Sequence, residues 1–231
     1  MCNFFTSDHH FGHDNILRHC APTRPFRTVD AMHEAYIARW NARVRPEDTV
    51  WYLGDWSMKF AFVEPMLARL HGIKHLVVGN HDTCFQMVDQ QVQQYLDAGF
   101  TSVQRMRVLE LAGQRFVLCH FPYRVPEDRR SSDERTTARQ ERYAPFSPVP
   151  GDHEEIALLH GHVHQHWRAR VGVNARCEIN VGCDVWEGAP ASEDDILALL
   201  ADVQPRQVQG EPQLQTHWGA WIAPPQDASG D

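Results

Sequence analysis

The segment Lys74-His75-Leu76-Val77-Val78-Gly79-Asn80-His81-Asp82 runs from an apolar strand straight into a turn carrying an amide, an imidazole and a carboxylate. Lys74–Val78 reads as a buried strand, and Gly79 lets the backbone turn sharply beside the polar residues. The same arrangement recurs four times. Asp8-His9-His10 follows the apolar start Asn3–Ser7, and Gly54-Asp55 follows the strand Thr49–Leu53. Cys119-His120 closes the strand Arg115–Cys119, and Gly161-His162-Val163-His164 follows Ile156–Leu159. In an open α/β sheet, loops at the carboxyl ends of parallel strands converge on one crevice. Five polar clusters at five strand ends therefore predict one site.

Between these strands lie helical patterns. Thr28–Val44 places Val29, Met32, Tyr36 and Trp40 on one face, with Thr28 as its cap. Lys59–Leu70, Gln86–Asp97 and Ser192–Val203 show the same periodicity, and Ser192 with Asp195 has the spacing of a capping box. Thr101–Leu111 and Arg115–Cys119 read as a hairpin turning at Ala112-Gly113-Gln114. Trp167–Val173 and Cys177–Val181 read as a second hairpin turning near Asn174. Alternating strands and helices followed by hairpins predict a layered α/β domain with a mixed sheet. Arg124–His153 is charged, without apolar periodicity, and reads as a long loop or lid. Residues 204–231 read as a tail whose Trp218 and Trp221 serve docking on a neighbour and on the chain itself equally well.

Composition narrows the function. A chain of 231 residues fits one domain or two small ones and can bury a core without disulfides. The net charge of −8 disfavours non-specific binding to long nucleic acids and anionic membranes. No apolar run approaches the roughly 20 residues of a membrane span. The N-terminus lacks a basic n-region, so a cytoplasmic protein is expected. Cys2, Cys20, Cys84, Cys119, Cys177 and Cys183 form no CxxC pair and read as small buried hydrophobes of a reduced compartment. Histidine stands out: 15 residues, mostly clustered in the strand-end motifs, point to a metal. Carboxylate, imidazole and amide oxygen suit Mn, Fe, Zn or Co. On an extended segment residues i and i+2 point the same way, so His162 and His164, like Asp8 and His10, would face the site together.

Asp8-x-His10, Gly54-Asp55, Gly79-Asn80-His81-Asp82, His120 and Gly161-His162-x-His164 resemble, in order and spacing, the motif set of the calcineurin-like metallophosphoesterases. The opening Asp8-His9-His10-Phe11-Gly12-His13-Asp14-Asn15 and the later Asn180-Val181-Gly182-Cys183-Asp184-Val185-Trp186 resemble a small bacterial and phage branch of that family. The resemblance reaches to about residue 200.

It implies a four-layer α/β/β/α sandwich with two mixed sheets; with the loop and tail read from composition, the expected domain is residues 1–203, with 124–153 a charged loop or lid, followed by a flexible tail at 204–231. It implies two divalent ions, Mn2+ above all, with Fe, Zn, Co or Ni as alternatives. Asp8, His10, Asp55 and His164 would hold the first. Asp55, Asn80, His120 and His162 would hold the second, with Asp55 bridging. A hydroxide bridging the ions would attack the phosphoester. His81 would protonate the leaving oxygen, and Asp82 would orient that imidazole. His13 and Arg124, with Arg24 as a further candidate, would bind the phosphate or its ester arm. His9, His160 and His166 read as structural. The expected partner is a small phosphodiester, including nucleotides and cyclic nucleotides. A nuclease on DNA or RNA, a phosphomonoesterase or nucleotide pyrophosphatase, and an inactive metal-binding scaffold stand as alternatives.

Overall fold

The computed structural model describes residues 1–125, 133–172 and 176–203. Among them the strands are, in chain order, β1 (Asn3–Thr6), β2 (Thr49–Tyr52), β3 (Ile73–Val77), β4 (Ser102–Gln104), β5 (Met106–Leu111), β6 (Gln114–Cys119), β7 (Ala157–His160), β8 (Ala169–Val171), β9 (Cys177–Asn180) and β10 (Ala191–Ser192). The helices are α1 (Ile16–His19), α2 (Val29–Arg43), α3 (Val63–Leu67), α4 (Asp89–Asp97), α5 (Glu134–Tyr143) and α6 (Glu193–Val203). One sheet runs β10-β1-β2-β3-β4 and the other β5-β6-β7-β9-β8. Both are mixed: β1 to β4 are parallel with β10 antiparallel, and β6, β7 and β9 are parallel between antiparallel edges β5 and β8.

The period-2 alternation of strand side chains builds two cores from one sheet. Phe4, Val50, Tyr52 and Leu76 pack with Ile37 and Trp40 of α2, Val44 just after it, Val63 and Leu67 of α3, and Tyr95 of α4. Their neighbours Phe5, Trp51 and Val77 face the other way and meet Phe116, Leu118, Leu159 and Ile179 of the second sheet, with Ile196 and Leu200 of α6. The sheets therefore pack face to face through an apolar layer. Each fully buried side chain of this size contributes about 1.5–3 kcal/mol. Trp40 is buried with its indole N–H donating to the His71 carbonyl at 3.0 Å.

Local signals hold at both capped helices. Thr28 accepts the Ala31 N–H at 3.1 Å. The Ser192 hydroxyl accepts the Asp195 N–H at 3.2 Å, while the Asp195 carboxylate accepts the Ser192 N–H at 2.8 Å. All six cysteines are free, and five are buried. No helix among the described residues is long and apolar enough to cross a membrane.

Several boundaries differ from expectation. Thr101–Leu111 is not one strand. It divides at Arg105, with β4 closing the first sheet and β5 opening the second, and the Arg105 guanidinium lies over the rings of Phe85 and Phe146 at 5.4 and 5.2 Å. The hairpin turn is two residues, Ala112 and Gly113, both at positive φ (48° and 73°), the twist that suits a right-handed ribbon. Lys59–Leu70 breaks into a 3-10 turn at Phe60–Phe62 and the short α3. Gln86–Asp97 is helical only from Asp89, because Met87 takes φ 57°. Arg124–His153 is not wholly loop, since α5 lies inside it. That helix shows no apolar stripe and is secured by Tyr143, which stacks on Phe121 at 4.9 Å. The turn near Asn174, residues 126–132 of the expected lid and the tail 204–231 lie outside the described residues.

Candidate metal centre

The strand ends are stitched to one another before any side chain is considered. Leu53 N–H donates to Thr6 at 2.7 Å, Asp8 N–H to Gly54 at 3.0 Å and His10 N–H to Asp55 at 3.1 Å. In the second sheet Gly161 N–H donates to His120 at 3.1 Å and Val181 N–H to His160 at 2.8 Å. A bridge between Ser7 and Gly182 joins the two sheets at this end.

Backbone conformation then aims the donors. Asp8, His10, Asp55, His162 and His164 all take positive φ (62°, 51°, 60°, 70° and 48°). An L-residue in this region costs about 1–3 kcal/mol, and five together persist only where surrounding contacts over-determine them. The donors thus converge through left-handed turns, not through the extended i and i+2 spacing expected from sequence. Gly79 and Gly161 likewise serve close approach rather than sharp turning. Neither has positive φ, but a Cβ on Gly79 would collide with Asp55 and one on Gly161 with Asp8 and Ser7.

Asp55 sits at the middle. Its Oδ2 lies 3.5 Å from His10 Nε2 and 3.4 Å from His120 Nε2, and its Oδ1 accepts the His81 backbone N–H at 2.8 Å. Asn80 Oδ1 is 3.2 Å and His162 Nδ1 3.3 Å from the same His120 Nε2. His120 Nδ1 is 2.8 Å from the Leu53 carbonyl, which requires the proton there and leaves Nε2 for the site. Asp8 accepts the Ser7 hydroxyl at 2.5 Å and the His162 N–H at 3.1 Å. The His164 ring stacks on His10 at 5.1 Å. Among the described residues three groups have ligand atoms within 4.8 Å of one another, and two of them lie among the expected donors: Asp8, His10 and His164; and Asp8, Asp55 and His120. All seven expected ligands are in one place.

The electrostatics are those of anionic donors drawing positive charge. Burial would raise the Asp55 pKa, but His120, His10 and His81 hold it well below the usual carboxylate range. Burial opposes protonation of His120, yet Asp55 outweighs it and pushes the imidazole up to about 9. Burial raises Asp8, and burial drives His10 well below the ordinary histidine value. His10 bears directly on the chemistry of the set. It is 2% exposed, and neither ring nitrogen has a hydrogen-bond partner among the described residues. A buried polar group so left costs about 1–3 kcal/mol. A divalent cation beside Asp8, Asp55 and His164 would satisfy one of the two nitrogens, and this carboxylate, imidazole and amide set suits a first-row metal.

The residues expected to act on substrate fare differently. His81 is exposed, with its ring 5.2 Å from His10. Asp82 does not orient it. The Asp82 carboxylate accepts the backbone N–H groups of Gly79 (2.8 Å), Trp56 (2.9 Å) and Asp55 (3.0 Å), so it locks two ligand-bearing loops together. Burial, then Asp55, raises its pKa to about 7. His13 is half-buried, 6.0 Å from His10. With Arg124 it lines a cavity of about 710 Å3 that opens on the donors. Seven histidines and two arginines line that cavity, and no described lining residue is acidic. Arg24 is not in it; the guanidinium is buried against Asp184. His9 packs among Phe11, Tyr36, Trp40 and Tyr52, away from the donors. Two contributors were not singled out for the site. Asp184 contacts His164 at 2.9 Å, and Tyr143 places its ring 5.0 Å from His162. The signal for Asp184 was another strand-end motif, Asn180-Val181-Gly182-Cys183-Asp184 after β9. Tyr143 left no local signal.

Comparison with known proteins gives relatives of similar length. The gene 66 protein of Mycobacterium phage D29 is 30% identical over 213 residues, covering 87% of this chain and 96% of the phage protein. Uncharacterized protein MJ1445 of Methanocaldococcus jannaschii is 28% identical over 202 residues, covering 85% and 90%. Among solved structures, the protein of unknown function AQ665 from Aquifex aeolicus matches with TM-score 0.62 and 28% identity, covering 86% of this chain and 98% of that one. A novel archaeal phosphodiesterase and the phosphopantetheinyl hydrolase of Mycobacterium tuberculosis match more loosely, each 14% identical, with TM-scores of 0.38 and 0.44. No family model matches.

Proposed function

The chain belongs to the family of the gene 66 protein of Mycobacterium phage D29, and from its own site we propose that it is a metal-dependent phosphoesterase of the calcineurin-like type, acting on small phosphodiesters. On this reading its two face-to-face sheets with helices outside are the α/β/β/α sandwich of those enzymes. The observation that carries it is the convergence of seven donors with Asp55 at their middle, His10 being buried among them and both its ring nitrogens without a hydrogen-bond partner among the described residues.

Asp8, His10, Asp55 and His164 would hold one ion, and Asp55, Asn80, His120 and His162 the other. Mn2+ fits this oxygen- and imidazole-rich set. Such a pair supplies Lewis acidity to a phosphoryl group and lowers the pKa of water. His81, exposed at the rim, holds a proton for the departing oxygen. Asp82 keeps that turn seated on the Asp55 loop. His13 and Arg124 receive the ester arm. The cavity supports a small anionic substrate: it extends well beyond one phosphate, and its described lining carries no carboxylate to repel one. Nucleotides and cyclic nucleotides fit that description.

The test is hydrolysis of bis-p-nitrophenyl phosphate beside p-nitrophenyl phosphate, on metal-stripped protein with Mn2+ restored. Mn2+-dependent turnover favouring the diester is expected. Preference for the monoester moves the assignment to a phosphatase, and no turnover of either with two ions bound overturns the assignment to small phosphodiesters.

A further inference from the structure

The loop after β9 brings to the metal centre a carboxylate outside the seven donors. Asp184 is 6% exposed, and its Oδ2 lies 2.9 Å from His164 Nδ1. Arg24 grips both its oxygens, Nε to Oδ1 at 2.8 Å and Nη2 to Oδ2 at 2.7 Å, and the Thr23 hydroxyl adds a bond to Oδ1 at 2.7 Å. Arg24 also donates to two backbone carbonyls, Nη2 to Asp8 at 2.6 Å and Nη1 to His9 at 2.9 Å. Those carbonyls belong to the left-handed loop that carries Asp8 and His10.

Cys20, His164 and Asp184 have ligand atoms within 4.8 Å of one another. The trio nevertheless makes a poor cation site, because the guanidinium occupies both carboxylate oxygens and would repel a second positive charge. What remains is orientation. A carboxylate paired with a guanidinium is ionised and only accepts hydrogen bonds. Its bond to His164 therefore requires a proton on Nδ1, which leaves Nε2 to face the site.

Resting on the dinuclear reading above, we propose that Asp184 is a positioning residue of the metal centre. It fixes the His164 tautomer so that Nε2 is the metal donor, and Arg24 carries the constraint to the Asp8–His10 loop. His164 follows β7 of one sheet, and Asp8 and His10 follow β1 of the other. The Arg24–Asp184 pair thus clamps ligands of one ion that come from separate sheets. A carboxylate behind a ligating imidazole also raises its basicity, and loss of such partners typically costs about 10–100-fold in metal affinity.

The experiment is Mn2+ titration by calorimetry with metal analysis on stripped wild type, Asp184→Asn and Arg24→Lys, beside ring 15N NMR of Zn2+-loaded wild type. Wild type should bind two ions. Asp184→Asn, with a cooperative thermal melt as its folding control, should bind one ion about 10–100-fold more weakly and the other unchanged. Arg24→Lys should weaken the same ion. In the NMR spectrum His164 should carry its proton on Nδ1 and the metal on Nε2. Fewer than two ions on wild type overturns the dinuclear reading and this inference with it. Two ions on wild type and undiminished affinity in folded Asp184→Asn overturns this inference alone. If the variant does not fold, the NMR decides, and metal on Nδ1 overturns it.

Discussion

His10 Nε2 stands 3.5 Å from Asp55 Oδ2, yet among the described residues neither ring nitrogen of His10 has a hydrogen-bond partner. A buried base beside a buried carboxylate, both surrounded by further donors, is a site whose folded state gains from a bound cation. Mn2+ added to stripped protein at 100-fold over its dissociation constant should stabilise it by about 2.7 kcal/mol. For a chain of this size that is a rise in melting temperature of about 5–10 °C. Differential scanning calorimetry with and without Mn2+ checks this, and an unmoved transition contradicts it.

His81 contributes its backbone N–H to Asp55 but leaves its ring at the rim. Removing the ring should therefore spare the metal centre. His81→Ala is expected to keep two ions per chain while kcat falls about 10²–10⁴-fold on esters with poor alkoxide leaving groups. The loss should be smaller for p-nitrophenolate, which needs little protonation. Equal losses on both substrates would assign His81 another role.

Gly161 packs where a Cβ would meet the Asp8 carboxylate and the Ser7 side chain. Gly161→Ala should shift the loop that bears His162 and His164. Overpacking of this kind costs about 1–3 kcal/mol. The variant should melt lower and bind metal more weakly; wild-type values for both would mean the loop has room.

Tyr143 stacks on Phe121, at 4.9 Å and 23° between planes, and sets its ring edge-on to His162 at 5.0 Å. It anchors α5 as one wall of the cavity. Tyr143→Ala should raise KM for the diester several-fold with little change in kcat or metal content. A fall in kcat with KM constant would place the ring at the chemistry instead.

Asp195 closes the N-terminal box of α6 and also meets Arg43 at 2.5 Å. Burial would raise its pKa, but the Ser192 N–H and hydroxyl and Arg43 hold it below the ordinary carboxylate range. A depressed folded pKa gives stability that is present above the unfolded pKa and disappears as pH falls through the folded one. Asp195→Asn should cost about 0.3–1 kcal/mol at neutral pH, the loss of a negative charge in the first turn of a helix. The gap between variant and wild type should close at pH below the carboxylate range, measured by urea unfolding across pH; a gap constant with pH would remove the carboxylate's charge from the account.

The chemistry of the centre was written locally. Each donor type stands immediately after a strand, so strand periodicity predicts five polar clusters in one crevice, while the choice of seven donors among them rests on the resemblance. The caps at Thr28 and Ser192 were equally legible, since a cap is a contact across three residues. The conformations that aim the donors were not. Asp8, His10, Asp55, His162 and His164 adopt a backbone region that their residue types disfavour, and only packing against distant loops holds them there. Asp82 illustrates the same limit: its position beside His81 suggested a side-chain partner, and the fold gave its carboxylate to three backbone N–H groups instead.

Sequence by itself determined the sheet-and-helix class, most of the strands though not β10, and the residue types offered to a metal, because burial periodicity and donor chemistry are properties of short segments. Tertiary structure alone decided the division of residues 101–111 between two sheets, the docking of α5 through Tyr143, and the pairing of Arg24 with Asp184 across 160 residues of chain. In each of these the deciding energy is a contact between segments remote in sequence. A buried guanidinium goes where a buried carboxylate already is, and no local pattern encodes where that will be.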